Sequence, residues 1–297
     1  MNPAKLQAFV QTGVVHHRAG RLKEAEAIYG QARLTAPHNF DVLHLSGLLA
    51  YQQGRLPAAV ELLTRAHQAD RKAFVCEMRL ALALMASGRT ADGEAHLRRV
   101  VQHNPKFDEG WDNLAYCLKT QDKLTEAVVC HQKAVTAKPG NPIAWYNYGT
   151  TLSLLGRYPE ALACHERALA ADPTHGLARF GRAQALHQAD RIPEAVDDYR
   201  KYLSAHPQSH DARSYLLFAL HCLEGITREE LFAEHLAYGR MVGQPAQSSL
   251  KNPPEKERRL KLAILSPDLR QHSCAYFLEP LLQHLDRKQF ELYLYHD

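Results

Sequence analysis

DEGWDNLAYCLKTQDKLTEAVVCHQKAVTAKPGN, residues 108–141, runs directly into PIAWYNYGTTLSLLGRYPEALACHERALAADPTH, residues 142–175, and the two stretches are one pattern written twice. Trp111, Ala127, Ala134 and Pro139 of the first fall on Trp145, Ala161, Ala168 and Pro173 of the second, while Leu114 and Ala115 correspond to Tyr148 and Gly149. Each copy reads as two helices. Ala127 and Ala134, two turns apart, share one stripe of the second helix. Small side chains on that stripe let two backbones close up, and the proline near the end of each copy stops the helix and turns the chain. Neither helix can bury its apolar stripe alone, so the copies must stack into a solenoid with a continuous core.

A helix-turn-helix period of about 34 residues, with small, aromatic and proline residues at these places, resembles the tetratricopeptide repeat. Extended in both directions without insertions, the frame gives six copies, 6–39, 40–73, 74–107, 108–141, 142–175 and 176–209. The first keeps Gly13, Ala25, Tyr29, Ala32 and Pro37; the second keeps Gly47, Ala59 and Ala66 but has Arg71 in place of proline. Gly93 and Val100 replace the two alanines of the third copy, which predicts looser packing there, and Arg179 replaces the tryptophan of the sixth. Residues 210–243 read as an extra helix pair without the signature residues, its second helix opened by Thr227 and Glu230 at capping-box spacing. A terminal pair of this kind caps a stack or couples it to another domain.

With 45% hydrophobic and 23% charged residues over 297 positions, the chain has an ordinary composition and enough length for a substantial core. Its N-terminus has no continuous apolar segment, and no run of about 18 apolar residues occurs, so neither a signal peptide nor a membrane span is expected and the expected compartment is the cytoplasm. Six cysteines stand singly with no C-x-x-C pair, which predicts reduced thiols, with Cys117, Cys130 and Cys164 serving as small core hydrophobes. A net charge of +4 with interleaved signs points to neither nucleic acid nor an anionic membrane as partner. Among 18 histidines the closest pairs, His16 with His17 and His206 with His210, lack cysteine or carboxylate companions at ligand spacing, so no metal site is expected.

Past the helical frame the composition changes. Residues 244–259, QPAQSSLKNPPEKERR, read as a linker. LKLAIL at 260–265 has the continuous apolar character of a buried parallel strand, followed by the loop SPDLRQHS, a helix from about Cys274 to Leu285 and a second strand opening at Phe290. This is one βαβ unit, too small for a domain and with both sheet edges open. His272 lies in the loop at the carboxyl end of the first strand, where open α/β sheets place ligands. On spacing alone two readings stand: a proton acceptor whose pKa is pushed down at a helix N-terminus, or a loop histidine that caps the helix.

The order of these parts, together with S-P-D-L-R-x-H-S-x-A-Y-F-L-E-P-L-L at Ser266–Leu282, resembles the O-linked N-acetylglucosamine transferases of bacterial type, in which tetratricopeptide repeats precede a two-lobed glycosyltransferase of the GT-B kind. Repeats alone are common to many unrelated proteins; the family-specific part of the resemblance is confined to 260–297. The resemblance implies a mainly α solenoid followed, over 260–297, by the incomplete start of an α/β, Rossmann-like GT-B lobe. It implies an inverting transfer of N-acetylglucosamine from UDP-GlcNAc to serine or threonine of protein substrates, without a further cofactor. His272 matches the family's active-site histidine, a candidate base, although Ser273 and Cys274 follow it where eukaryotic members carry proline and threonine. Because the family's nucleotide pocket belongs to the second lobe, this chain is expected to be inactive alone.

Family repeats also carry an asparagine one position before the concave-face leucine, where a ladder of them grips an extended peptide. Asn113 and Asn147 match that place, whereas Gln11, Leu45, Arg79 and Gly181 occupy it in the other copies. Two rungs of a ladder and two merely solvated asparagines are both open readings. So is a rival from another class: a non-catalytic scaffold that binds peptides in its concave groove through Tyr116, Lys119, Tyr146, Thr150 and Gln184. A GT-B enzyme with a different nucleotide sugar also remains open, because the donor-selecting residues lie outside these 297 positions.

Overall fold

The computed structural model describes residues 2–243, 259–265 and 273–295. The chain divides into two compact units, Met1–Val242 and Gly243–Asp297. The first is all helix. Its pairs are α1 (Pro3–Arg18) with α2 (Leu22–Thr35), α3 (Phe40–Gln52) with α4 (Leu56–Ala69), α5 (Phe74–Ala86) with α6 (Thr90–His103), and α7 (Asp108–Lys119) with α8 (Leu124–Ala137). Then come α9 (Pro142–Leu154) with α10 (Tyr158–Ala171), α11 (Gly176–Gln188) with α12 (Ile192–Ala205), and α13 (His210–His221) with α14 (Arg228–Val242).

The turn inside a pair needs one residue in the left-handed region. Gly20, Gly54, Gly88 and Gly156 supply it, and in the fourth and sixth pairs Asp122 and Asp190 take the same place at φ 60°, a conformation that aspartate tolerates better than most non-glycine residues. Asn39, Asn141, His175 and Ser209 each accept a backbone N–H at the start of the next pair. Ala73 and Phe107, which precede the third and fourth pairs, give no side-chain cap.

Packing follows the small residues. Ala25, Ala32, Ala59, Ala66, Ala127 and Ala134 are fully buried. The small residue of each first helix faces the large one of the second. A Cβ on Gly13 would lie 2.5 Å from the Tyr29 ring, one on Gly47 2.7 Å from Leu63, and one on Gly149 2.7 Å from the His165 ring. The third pair is not looser at the residues that suggested it. Val100 is fully buried, and a Cβ on Gly93 would stand 2.6 Å from Met85 Cγ and 2.9 Å from the Ala81 carbonyl oxygen. Glycine there marks a close approach of α5 and α6, since a missing Cβ admits a backbone rather than leaving a void.

Each odd-numbered helix comes backbone to backbone with the next odd-numbered one, α1 with α3 through to α11 with α13, whereas among the described residues even-numbered helices meet one another only through long side chains, such as Arg98 of α6 with Glu126 of α8. The odd helices therefore form the inner, concave wall of the array and the even ones its outer wall. In the last pair the capping box forms as its spacing indicates: Thr227 N–H donates to Glu230 Oε2 at 3.0 Å and Glu230 N–H to Thr227 Oγ1 at 3.2 Å. Yet α14 buries none of its residues and leaves Phe232 64% exposed, so this pair lacks the polar outer face of a terminal cap.

In the second unit β1 (Leu260–Leu265) pairs in parallel with β2 (Phe290–Tyr295), in register from Leu260 opposite Phe290 to Leu265 opposite Tyr295. The helix between them, α15 (Ser273–His284), holds Pro280 in its interior. The loop with His272 and the linker at 244–258 lie outside the described residues. Among the described residues no helix is long and apolar enough to cross a membrane.

Candidate functional site

The two walls of the array differ in chemistry. Of the exposed large apolar side chains between α1 and α13, nine lie on odd-numbered helices and two, Leu34 and Val129, on even-numbered ones. Val75, Tyr116, Ile143, Leu154, Leu177 and Phe218 are among the nine. Scattered exposed hydrophobes need no explanation, but their segregation to one wall marks a surface suited to a partner.

Tyr116 is 52% exposed, with the Lys119 ammonium 5.7 Å from its ring centroid. Tyr146 is half-buried, its ring between those of His165 and His175 at centroid distances of 5.9 and 5.5 Å. The Thr150 hydroxyl turns back to donate to the Tyr146 carbonyl at 3.0 Å, and Gln184 is half-buried on α11. Tyr116, Lys119, Tyr146, Thr150 and Gln184 thus span three adjacent helices of the inner wall, α7, α9 and α11.

The two asparagines do more than line the wall. Asn147 Nδ2 donates to Asp112 Oδ2 at 2.8 Å, and Asn113 Nδ2 donates to the Glu109 carbonyl at 2.8 Å and approaches Met78 Sδ at 3.3 Å. Each thereby reaches the same position of the preceding copy, Asp112 for Asn147 and Met78 for Asn113, and ties neighbouring inner helices together. Their amide oxygens accept no hydrogen bond among the described residues. They keep an acceptor each, while the Asn113 amide directs both of its N–H groups, and the Asn147 amide one of its two, to partners within the array.

Below the wall lies a polar network that the sequence did not disclose. Asp112 also accepts from His131 Nδ1 at 3.0 Å, and His131 Nε2 lies 3.1 Å from Thr151 Oγ1. The order Asp–His–Thr has the connectivity of a hydrolytic triad, but Thr151 is fully buried and His131 1% exposed, so no substrate reaches the hydroxyl. The network joins two copies. Three of the buried cysteines are equally closed to chemistry: burial pushes the thiols of Cys76 and Cys164 up to about 12 and that of Cys130 to about 11, leaving them no appreciable thiolate at neutral pH.

Family models described as tetratricopeptide repeat match residues 2–73 and 149–210, residues 50–115 and residues 132–163, and together they account for most of the array. No curated protein matches the sequence. Among solved structures, PilF of Pseudomonas aeruginosa is similar over 71% of this chain and 96% of its own, with a TM-score of 0.62 at 14% identity. The C-terminal part of a tetratricopeptide repeat protein from Cytophaga hutchinsonii covers 77% and 93%, with a TM-score of 0.62 at 12% identity. The APC/C hetero-tetramer Cut9–Hcn1 covers 74% and 44%, with a TM-score of 0.63 at 15% identity. At such identities the likeness is one of fold.

Proposed function

The chain belongs to the tetratricopeptide repeat family, and on that footing we propose that its array recruits proteins by laying an extended segment of the partner along the inner wall of α7, α9 and α11. The observation that carries this reading is the segregation of exposed apolar side chains to the odd-numbered helices. Tyr116, Ile143 and Leu177 supply apolar contact, while the free amide oxygens of Asn113 and Asn147 accept from the segment's backbone N–H groups. Cut9, similar in fold, assembles with a second protein, Hcn1.

The proposal extends to catalysis in the cytoplasm: the recruited proteins are acceptors for a protein O-GlcNAc transferase whose first α/β unit is 260–297. The motif at Ser266–Leu282 and a parallel β1–α15–β2 unit following a tetratricopeptide array favour this reading. His272 then takes the part of the base candidate beside the acceptor hydroxyl, UDP-GlcNAc is the donor, transfer is inverting, and no cofactor is required. A non-catalytic scaffold shares the inner wall but has no use for that motif.

Two measurements separate the levels. Fluorescence polarisation against an array of Ser- and Thr-containing peptides should find ligands that lose at least tenfold in affinity in the double variant Ile143→Asp, Leu177→Asp; unchanged affinity overturns the inner-wall reading. Calorimetric titration of uridine diphosphate into the 297-residue chain should show no binding, because the family's nucleotide pocket lies in the second lobe. Binding or donor turnover by this chain would show that placement to be wrong.

A further inference from the structure

Three electron-pair donors converge at the junction of the second and third copies. His67 from the last turn of α4, Glu77 from the first turn of α5 and His96 from the middle of α6 bring one ligand atom each to within 4.8 Å of one another. His96 Nδ1 lies 3.1 Å from Glu77 Oε1, and His67 Nε2 lies 4.0 Å from the same oxygen. The two imidazoles meet edge to face at 5.9 Å between centroids. The Glu77 side chain is 8% exposed and each histidine side chain 19%, so the cluster is shielded but open enough for a solvent ion to enter.

The neighbouring copies show how unusual this is. At the same three frame positions the next junction has Val101, Trp111 and Cys130, and the one after it Val135, Trp145 and Cys164. Those are apolar, and the tryptophan is covered by a cation, Lys133 at 4.2 Å from the Trp111 centroid and Arg167 at 5.8 Å from that of Trp145. In the third copy the tryptophan is Glu77 and the covering cation is Arg99. Arg99 Nε donates to Glu77 Oε1 at 2.8 Å, and Nη2 donates to His96 Nδ1 at 2.7 Å. That nitrogen therefore holds its lone pair, and it faces a carboxylate oxygen. His67 Nδ1, meanwhile, is buried with no hydrogen-bond partner among the described residues. Two acceptors at 3.1 Å stay together only around positive charge, here the guanidinium.

We propose that His67, Glu77 and His96 form a site for a divalent transition-metal ion of the zinc class, and that Arg99 is the internal cation which holds the site when no metal is bound and competes with it. Two imidazoles and one carboxylate are a zinc donor set, with a fourth position left to water. Ligand atoms at about 2.0–2.1 Å from a tetrahedral zinc stand roughly 3.3 Å apart. The His96–Glu77 pair already meets that spacing at 3.1 Å, and His67, 4.0 Å from the Glu77 oxygen, must close on it by roughly 0.7 Å. The Arg99 side chain is 50% exposed and can swing into solvent. Because the ligands come from both copies, a bound ion would pin α4, α5 and α6 together at the junction whose pair starts without a side-chain cap at Ala73.

The test is titration of the purified chain with Co²⁺, read as the visible absorption of a four-coordinate ion, and with Zn²⁺ by calorimetry. One equivalent is expected to bind to wild type. Arg99→Gln should tighten binding at least tenfold, and Glu77→Gln, His96→Gln and His67→Gln should each weaken it at least tenfold. His221→Gln, which breaks the His221–His235 pair on α13 and α14, should leave it unchanged. Zinc should also delay hydrogen exchange in α5 and α6 of wild type. Should a ligand variant fail to fold, Arg99→Gln on the half-exposed arginine still decides the matter. Absence of binding in both wild type and Arg99→Gln, or affinity indifferent to the three ligand substitutions, overturns the proposal.

Discussion

His131 and His165 occupy the same place in adjacent copies, and each is 1% exposed. What separates them is two neighbours. His131 has Asp112 on its own first helix and Thr151 on the next; the corresponding residues around His165 are Tyr146 and Ala185. With no polar partner for its Nδ1, His165 is packed between Gly149 and Gly181, where a Cβ on either glycine would lie 2.7 Å from its ring. Burial, reinforced by the charges of Arg182 and His175, pushes its pKa down to about 4. An unfolded histidine titrates near about 6.5. The folded state therefore refuses a proton that the unfolded state accepts between pH 6.5 and about 4, so this stability is complete above pH 6.5 and falls away through that window. The loss is on the order of 3 kcal/mol. His165→Leu, which places there the leucine that Leu63 and Leu97 supply in the second and third copies, should remove it. Urea midpoints measured at successive pH values should show a shallower acid slope in the variant, and an identical slope would count against this account.

At the scale of the helix pair, glycine has two opposite meanings, and they predict opposite effects. Gly93 sits where α5 and α6 nearly touch, and although Met85 could yield to a methyl group, the Ala81 carbonyl cannot. Gly93→Ala should therefore destabilise the array by about 1 kcal/mol, even after the helix-propensity gain of alanine is counted. Gly30 lies within α2 with nothing inside 4 Å of its would-be Cβ, and Gly30→Ala should stabilise by about 0.5–1 kcal/mol. Thermal melts of the two variants against wild type check both signs. The helix-pair architecture is legible in the sequence because every copy needs small residues and a stop in the same places. Gly93 reads there as a loss because a period reports that a side chain is small and not what approaches it. The zinc-class cluster is illegible for a related reason. His67, Glu77 and His96 come from three successive helices at spacings that match no local ligand frame, so nothing short-range announces them. The signal that could have found them is the exception, a glutamate where the frame calls for tryptophan. Asn113 and Asn147 are visible as a pair, but their bonds to Met78, Glu109 and Asp112 depend on how one copy sits against the next.

Along the array each pair packs on the pair before and after it, and consecutive inner helices also meet directly. The buried apolar residues accordingly form successive clusters along the solenoid, not one centre: Ala25, Tyr29 and Leu49 in one, Leu63 and Leu80 in the next, Leu97 and Leu118 beyond, then Tyr199 and Leu216. Stability in such a chain is a sum of copy and junction terms, and a lesion should act locally. Leu97, fully buried in α6 among Met78, Val100 and Leu114, offers the cleanest lesion. Leu97→Ala removes its methyl groups and leaves a cavity, at a cost of about 3 kcal/mol. Native-state hydrogen exchange should then speed up in α5 to α8 while α11 to α13 keep their protection, because three junctions separate α6 from α12. A uniform rise in exchange from α1 to α13 would instead mean that the array opens as a single cooperative unit. In that case a bound segment would stiffen every copy at once. If the lesion stays local, a partner lying on α7, α9 and α11 stabilises that stretch alone and leaves the ends of the solenoid free to open.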